Sequence, residues 1–350
     1  MLARTSRAAA LVALLFLPAP AWPADGPPDA GQGLDLRRVA PEQRRRLLAG
    51  ETIAYEVAET SETELGAGVA MYLPVPLARV AEALTSPDIV LREPSITAHG
   101  PIPVGATGAA LGFALGAGEI AEAQDVLEVA PGPRFNLASA EIDMFRARGA
   151  ACCRDRGAAL EAAATRWRTL LLQRAQAFRA RGLEGIAPYA RRSGVTDPAA
   201  LLRVAAGDAR IVAHAMPRLA EALLRFPAEQ SPTAASQLYW VKRQVQARPT
   251  PILIHHLVDV TAQLALYVER HVFVGHTYNA SQILSGAVPY EDGVLVFSSN
   301  RVSTDQVTGL GGEMKRVIGR RQLRAEIVKR FDRVRAALAR PAPATPVESP

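Results

Sequence analysis

Two strand-like zones flank a helical one and the chain closes in a single long helix, an order that restricts the fold to the α+β class. Residues 52–57 and 66–72 read as strands, and 76–84 follows as a short helix. Its opening Pro76 sits in a first turn, where the missing N–H is harmless. Strand-like pieces are expected again at 123–129 and 135–142. The stretch from Arg148 to Arg225 is rich in alanine and arginine, and helices are expected over 160–181 and 198–225, parted by 182–197. Strands return at 253–260, 264–276, 281–287 and 293–299. The segment 102–120 is Gly- and Ala-rich, with Gly108, Gly112 and Gly116 at four-residue spacing. That glycine density weakens a helix by about 1 kcal/mol per residue relative to alanine, so a loop, strand pair or flexible lid is expected.

The closing helix is predicted over 312–339. Met314, Val317, Ile318, Val328 and Phe331 fall near one face, which Val334 and Leu338 continue after a drift. At 100° per residue Arg321 and Arg324 land in the same stripe. Either their stems pack while the guanidinium groups reach water, or they point into a cavity and meet an anionic head group or a buried acid.

The ends have a different character. Arg4 and Arg7 precede an apolar run from Ala8 to Leu17, too short for the roughly 20 residues of a membrane span. Pro18 and Pro20 break the run, and small residues follow. Residues 1–24 are therefore read as a cleavable secretory signal peptide, cut after Ala21 or Ala24, and a periplasmic or secreted location is expected. Its loss lowers the formal charge of +6 to +4. Residues 25–45 read as a flexible leader and 341–350 as a disordered tail. The remaining basicity is spread as arginine without interleaved aromatics, which argues against nucleic acid. Adjacent Cys152 and Cys153 could close only a strained eight-membered ring, so free thiols on a helix are expected.

The run Leu-Pro-Val-Pro-Leu-Ala-Arg-Val at 73–80 opens the short helix between strands. Together with the antiparallel strands and the long last helix, it resembles the START-like helix-grip superfamily of lipid-transfer domains and polyketide cyclases. A closer resemblance is to uncharacterised secreted bacterial members. It rests on FNLASAEI (135–142), GLEGIAPY (182–189), LYWVK (238–242), HVFVGHTY (271–278), and the turn Ser299-Asn300-Arg301 with Asp305, Gly309 and Gly311. The resemblance spans about 50 to 338. It implies a curved antiparallel sheet around the last helix, an apolar pocket between them, one START-like domain over 46–340, and a helical insertion at about 148–230. It brings no catalytic residues.

Candidate chemistry is sparse. His255 and His256 are neighbours on a strand, so only one faces inward. By the same alternation His276 and Tyr278 share a face and form the best acid–base candidate, although a hydrogen-bonded core or cavity histidine is the simpler explanation of His276. Asn300 and Arg301 end a strand, where Arg301 either pairs with Asp305 to pin the loop or guards the pocket mouth. No zinc-ligand spacing, nucleophile elbow or phosphate loop occurs, so neither metal nor cofactor is expected. The expected protein binds a hydrophobic, lipid-like ligand, as a carrier or sensor, oriented by His276, Tyr278, His256, Asn300, Arg301, Arg321 and Arg324. Transient contact with a membrane surface fits such a carrier. The alternatives are a cyclase- or hydrolase-like enzyme using the His/Tyr pair, and an envelope interaction protein docking through its helical insertion.

Overall fold

The computed structural model describes residues 41–85, 93–147, 155–207, 209–228 and 234–338. The expected signal peptide, most of the leader, the tail and both cysteines lie outside these residues. The described chain is α+β, with one large antiparallel sheet and a long C-terminal helix.

Ten strands are described: β1 Thr52–Tyr55, β2 Glu64–Leu73, β3 Ile96–Pro101, the short pair β4 Tyr189–Ala190 and β5 Val195–Thr196, then β6 Ala235–Val245, β7 Arg248–Val260, β8 Ala265–Val274, β9 Ala280–Tyr290 and β10 Gly293–Ser303. Eight of them form the sheet in the order β1-β2-β10-β9-β8-β7-β6-β3. From β6 onward the strands form a meander, each antiparallel to the last. The described helices are α1 Pro41–Leu48, α2 Leu77–Thr85, α3 Ile120–Leu127, α4 Ser139–Arg146, α5 Arg156–Arg181, α6 Pro198–Gly207, α7 Arg210–Ala215, α8 Pro217–Arg225 and α9 Gly312–Leu338.

The sheet is covered on both faces, which explains why its central strands are buried along nearly their whole length. On one face α2 and α9 pack Val80, Leu84, Ile327, Phe331 and Val334 against Val69, Met71, Val294 and Val296. On the other face the chain leaves the sheet after β3, builds a layer containing α3 to α8, and returns at β6. Trp167 and Phe178 of α5 pack there with Leu253 and Phe273. Leu219 and Leu223 of α8 pack with Leu257, Val268 and Leu284. Asp155 caps α5 by accepting from the Ala158 N–H at 2.9 Å. Gly182 ends it at φ +57°, where a Cβ would stand 1.6 Å from the Phe226 carbonyl oxygen. Only glycine allows that approach.

Several expectations are corrected. Residues 123–129 are mostly helix α3, because Ala123, Val126 and Leu127 are buried at helical, not alternating, spacing. Residues 135–142 run as an extended loop into α4, whose first turn is closed by Glu141 accepting from the Ala138 N–H at 2.7 Å. The helix expected over 198–225 breaks into α6, α7 and α8, at Gly207 and before Pro217. Segment 102–120, by contrast, is a loop as expected, with two 3-10 turns, tied down by Phe113, which packs edge-on against Trp240 at 5.7 Å. The apolar stripe of α9 is buried only in its second half, and Met314, Val317 and Ile318 are exposed.

Candidate functional site

Polar side chains collect on the sheet face that α2 and α9 cover. Alternation along β8 sends Tyr267, Glu269 and His271 to that face together. His256 joins them as the cross-strand partner of Glu269. Arg330 enters from α9 and Arg243 from β6. The result is a buried seam with Glu269 at its centre.

Glu269 is 3 % exposed and saturated with donors. Its Oε1 lies 2.7 Å from His271 Nε2, its Oε2 accepts from the Tyr267 hydroxyl at 2.8 Å, and Arg330 Nη1 lies 3.4 Å from Oε2. His256 Nε2 stands 2.9 Å from the Tyr267 oxygen. These distances assign the protons: Tyr267 donates to Glu269 and therefore accepts from His256 Nε2–H. His271 likewise donates from Nε2, leaving Nδ1 to accept from the Tyr278 hydroxyl at 2.8 Å. A carboxylate–imidazole–phenol chain follows, Glu269–His271–Tyr278. Arg243 flanks it, with Nη2 2.5 Å from Glu93 and 3.3 Å from Glu326.

The charges follow from the contacts. Burial by itself would raise Glu269, but Arg330, then His271 and His256, outweigh it and hold the carboxyl well below its usual range. Burial pushes Tyr267 far up, helped by the neighbouring Glu269 charge. Burial lowers His256 to about 4 even though Glu269 opposes it. The seam thus holds a carboxylate, neutral His256 and protonated arginines at neutral pH.

The apolar pocket expected between sheet and last helix is not open at this seam, where side chains fill the space. Ile96, Val241, Ile252 and Ile254 on the apolar side and Arg243, Glu269, His271 and Arg330 on the polar side enclose about 10 Å³, roughly one water-sized probe. Two larger concavities lie at the sheet edge. Open grooves of about 850 and 740 Å³ flank β3. The second is walled by Pro101, Ile102, Pro103, Val104, Phe226, Pro227, Leu238 and Tyr239, with His99, Arg179, Ser236 and Gln237 as its polar groups. Arg179 Nη1 reaches the Pro103 carbonyl at 3.4 Å, fixing that wall.

The structure scatters the residues expected to act together. His276 and Tyr278 do not pair. The chain leaves β8 at Val274 and turns through Thr277 at φ +78°, so strand alternation no longer applies. His276 Nε2 lies 3.0 Å from Thr250 Oγ1 and 3.5 Å from Glu122, while Tyr278 reaches His271. Burial, then Arg248, lowers His276 to about 3. His256 does face the seam. Asn300 lies buried on the same sheet face and accepts from Ser281 at 3.0 Å. Arg301 pairs with Glu64 at 2.9 Å, whereas Asp305 accepts from Asn279 at 3.1 Å. Arg321 and Arg324 are exposed on the outer side of α9, and Arg330 is the arginine that turns inward. Sequence reasoning missed Glu269, Tyr267 and Arg330. The alternation Tyr267-x-Glu269-x-His271 was the legible signal.

Among the described residues no helix is long and apolar enough to cross a membrane, and no group of His, Cys, Asp or Glu could hold a metal ion.

No family model matches the chain, and no curated protein matches it significantly. Among solved structures it is similar to the crystal structure of Ara h 8.0201, at 12 % identity over 37 % of this chain and 85 % of that one. The TM-score is 0.20.

Proposed function

We propose that this is an exported helix-grip protein that binds an apolar small molecule, as a carrier or sensor rather than an enzyme. The observation that supports this reading best is the groove of about 740 Å³ along β3, which is mostly apolar with a few polar groups at fixed places. That volume and lining suit a lipid-sized ligand. Affinity would come from apolar burial, at about 25 cal/mol per Å² before the costs of ordering. The location rests on the first 24 residues, and mass spectrometry of the mature N-terminus tests it by finding cleavage after Ala21 or Ala24.

Binding is tested by native mass spectrometry of gently isolated protein, followed by titration of the delipidated chain with a fluorescent fatty acid. Val104 is 87 % exposed on the groove wall, so Val104→Glu leaves the core intact. That variant should bind at least several-fold more weakly. If no apolar probe binds the wild type, the reading fails.

One observation favours a second reading. The chain Glu269–His271–Tyr278 has the order of an acid–base relay. An enzyme using it should lose turnover in His271→Ala while keeping ligand affinity.

A further inference from the structure

The residue after Glu269 presents the opposite electrostatic situation. Strand alternation sends Arg270 to the face covered by α5, α6 and α8, where it is wholly buried. Register places His255, Arg270 and Gln282 side by side across β7, β8 and β9. They form a polar row between the two apolar clusters of that face. Arg270 Nη1 donates to the Leu223 carbonyl at 2.7 Å. Its Nε and Nη2 have no hydrogen-bond partner. Gln282 spends its amide N–H on the Ala205 carbonyl at 2.8 Å and leaves Oε1 unpartnered, and His255 leaves Nδ1 unpartnered. Among the described residues no carboxylate stands within ion-pair distance of this guanidinium. Burial draws Arg270 down to about 10, and the cationic Arg203 adds to the effect.

A buried cation without a counter-charge is among the costliest groups a fold can hold. The free atoms are also specific. Nε and Nη2 form the side of the guanidinium fork that takes a carboxylate through two parallel hydrogen bonds. The groove lies close by. Phe226 on its wall meets the His255 ring at a tilt, with centroids 4.8 Å apart, and Ser236 on its lining lies 2.9 Å from His255 Nε2. One imidazole therefore separates the apolar groove from the unpaired guanidinium.

We propose that the Nε/Nη2 edge of Arg270 binds the carboxylate of a long-chain monocarboxylic acid whose hydrocarbon lies in the groove along β3. The inference rests on the apolar-ligand reading and adds the head group to it. Gln282 and His255 flank the carboxylate and complete a site on the sheet face opposite the C-terminal helix.

The test is displacement of a fluorescent fatty acid from the full chain by hexadecanoate, methyl hexadecanoate and acetate. Wild-type protein should prefer the acid over its ester by at least tenfold. Arg270→Met should bring that ratio within twofold, with Arg270→Lys between. Equal binding of acid and ester to the wild type overturns the head-group site and leaves the groove standing. Failure of every long-chain probe overturns both. Acetate matching hexadecanoate would leave an anion site without a tail and overturn the long-chain assignment. Should Arg270→Met not fold, the wild-type acid-to-ester ratio decides alone.

Discussion

Glu269 and Arg270 are consecutive, equally buried and opposite in charge, yet one is saturated with partners and the other nearly bare. Glu269 collects His271, Tyr267 and Arg330. Arg270 holds one carbonyl. The contrast shows that the two faces of the sheet handle charge differently. Beneath α9 the charges are closed among themselves and pin helix to sheet. Beneath the helical layer stands a charge that no described carboxylate meets. A closed network rigidifies and specifies packing, whereas an open one leaves a costly unpaired group, which we assign to a ligand.

The comparison can be broken by removing either residue. Glu269→Ala leaves the largely buried Arg330 with only the more distant Glu93, at 3.9 Å, among the described carboxylates and should cost about 3–5 kcal/mol, read by urea unfolding. Acid should weaken the closed seam next. The folded value of His256, about 4, lies below its ordinary 6.5, so the unfolded chain takes the proton first. Stability from this group is complete above about pH 6.5 and falls as pH drops toward 4, by about 3 kcal/mol. His276, lowered to about 3, and His255, also lowered, act in the same direction. His256→Gln should therefore reduce the slope of stability against pH in that window by about a third. Arg270→Met should go the other way, making the ligand-free protein about 1–4 kcal/mol more stable, because removing an unpaired buried charge outweighs the lost hydrogen bond to the Leu223 carbonyl. A loss of several kcal/mol would show that Arg270 is compensated internally and dissolve the contrast. Arg321→Ala and Arg324→Ala should change stability by less than about 0.5 kcal/mol each, since both side chains are exposed.

Much of the frame was readable. The strands from residue 253 onward carry long runs of β-branched and aromatic residues, and each matches an observed strand. The closing helix, expected over 312–339, is described as Gly312–Leu338. The edge strand β3 was not read, because Ile-Thr-Ala-His-Gly-Pro is weak in β-formers and is held by pairing with β6. Segments 123–129 and 135–142 went wrong because short apolar runs fit helix and strand alike. The candidate site was less legible. One left-handed residue, Thr277, separated His276 from Tyr278. Arg330 could not be preferred over Arg321 and Arg324, because the half of the stripe that meets the sheet depends on where β2 and β10 lie.

What the sequence determined by itself is local: α+β class, the later strands, the last helix, and the alternation that puts Tyr267, Glu269 and His271 on one side of β8. Periodicity and propensity act within a few residues, so a single chain displays them. Only the tertiary structure decided that Glu269 meets Arg330, 61 positions away, and that Arg270 meets no acid among the described residues. Partnership between distant charges depends on which layers cover which face of the sheet, and no spacing in the chain records that.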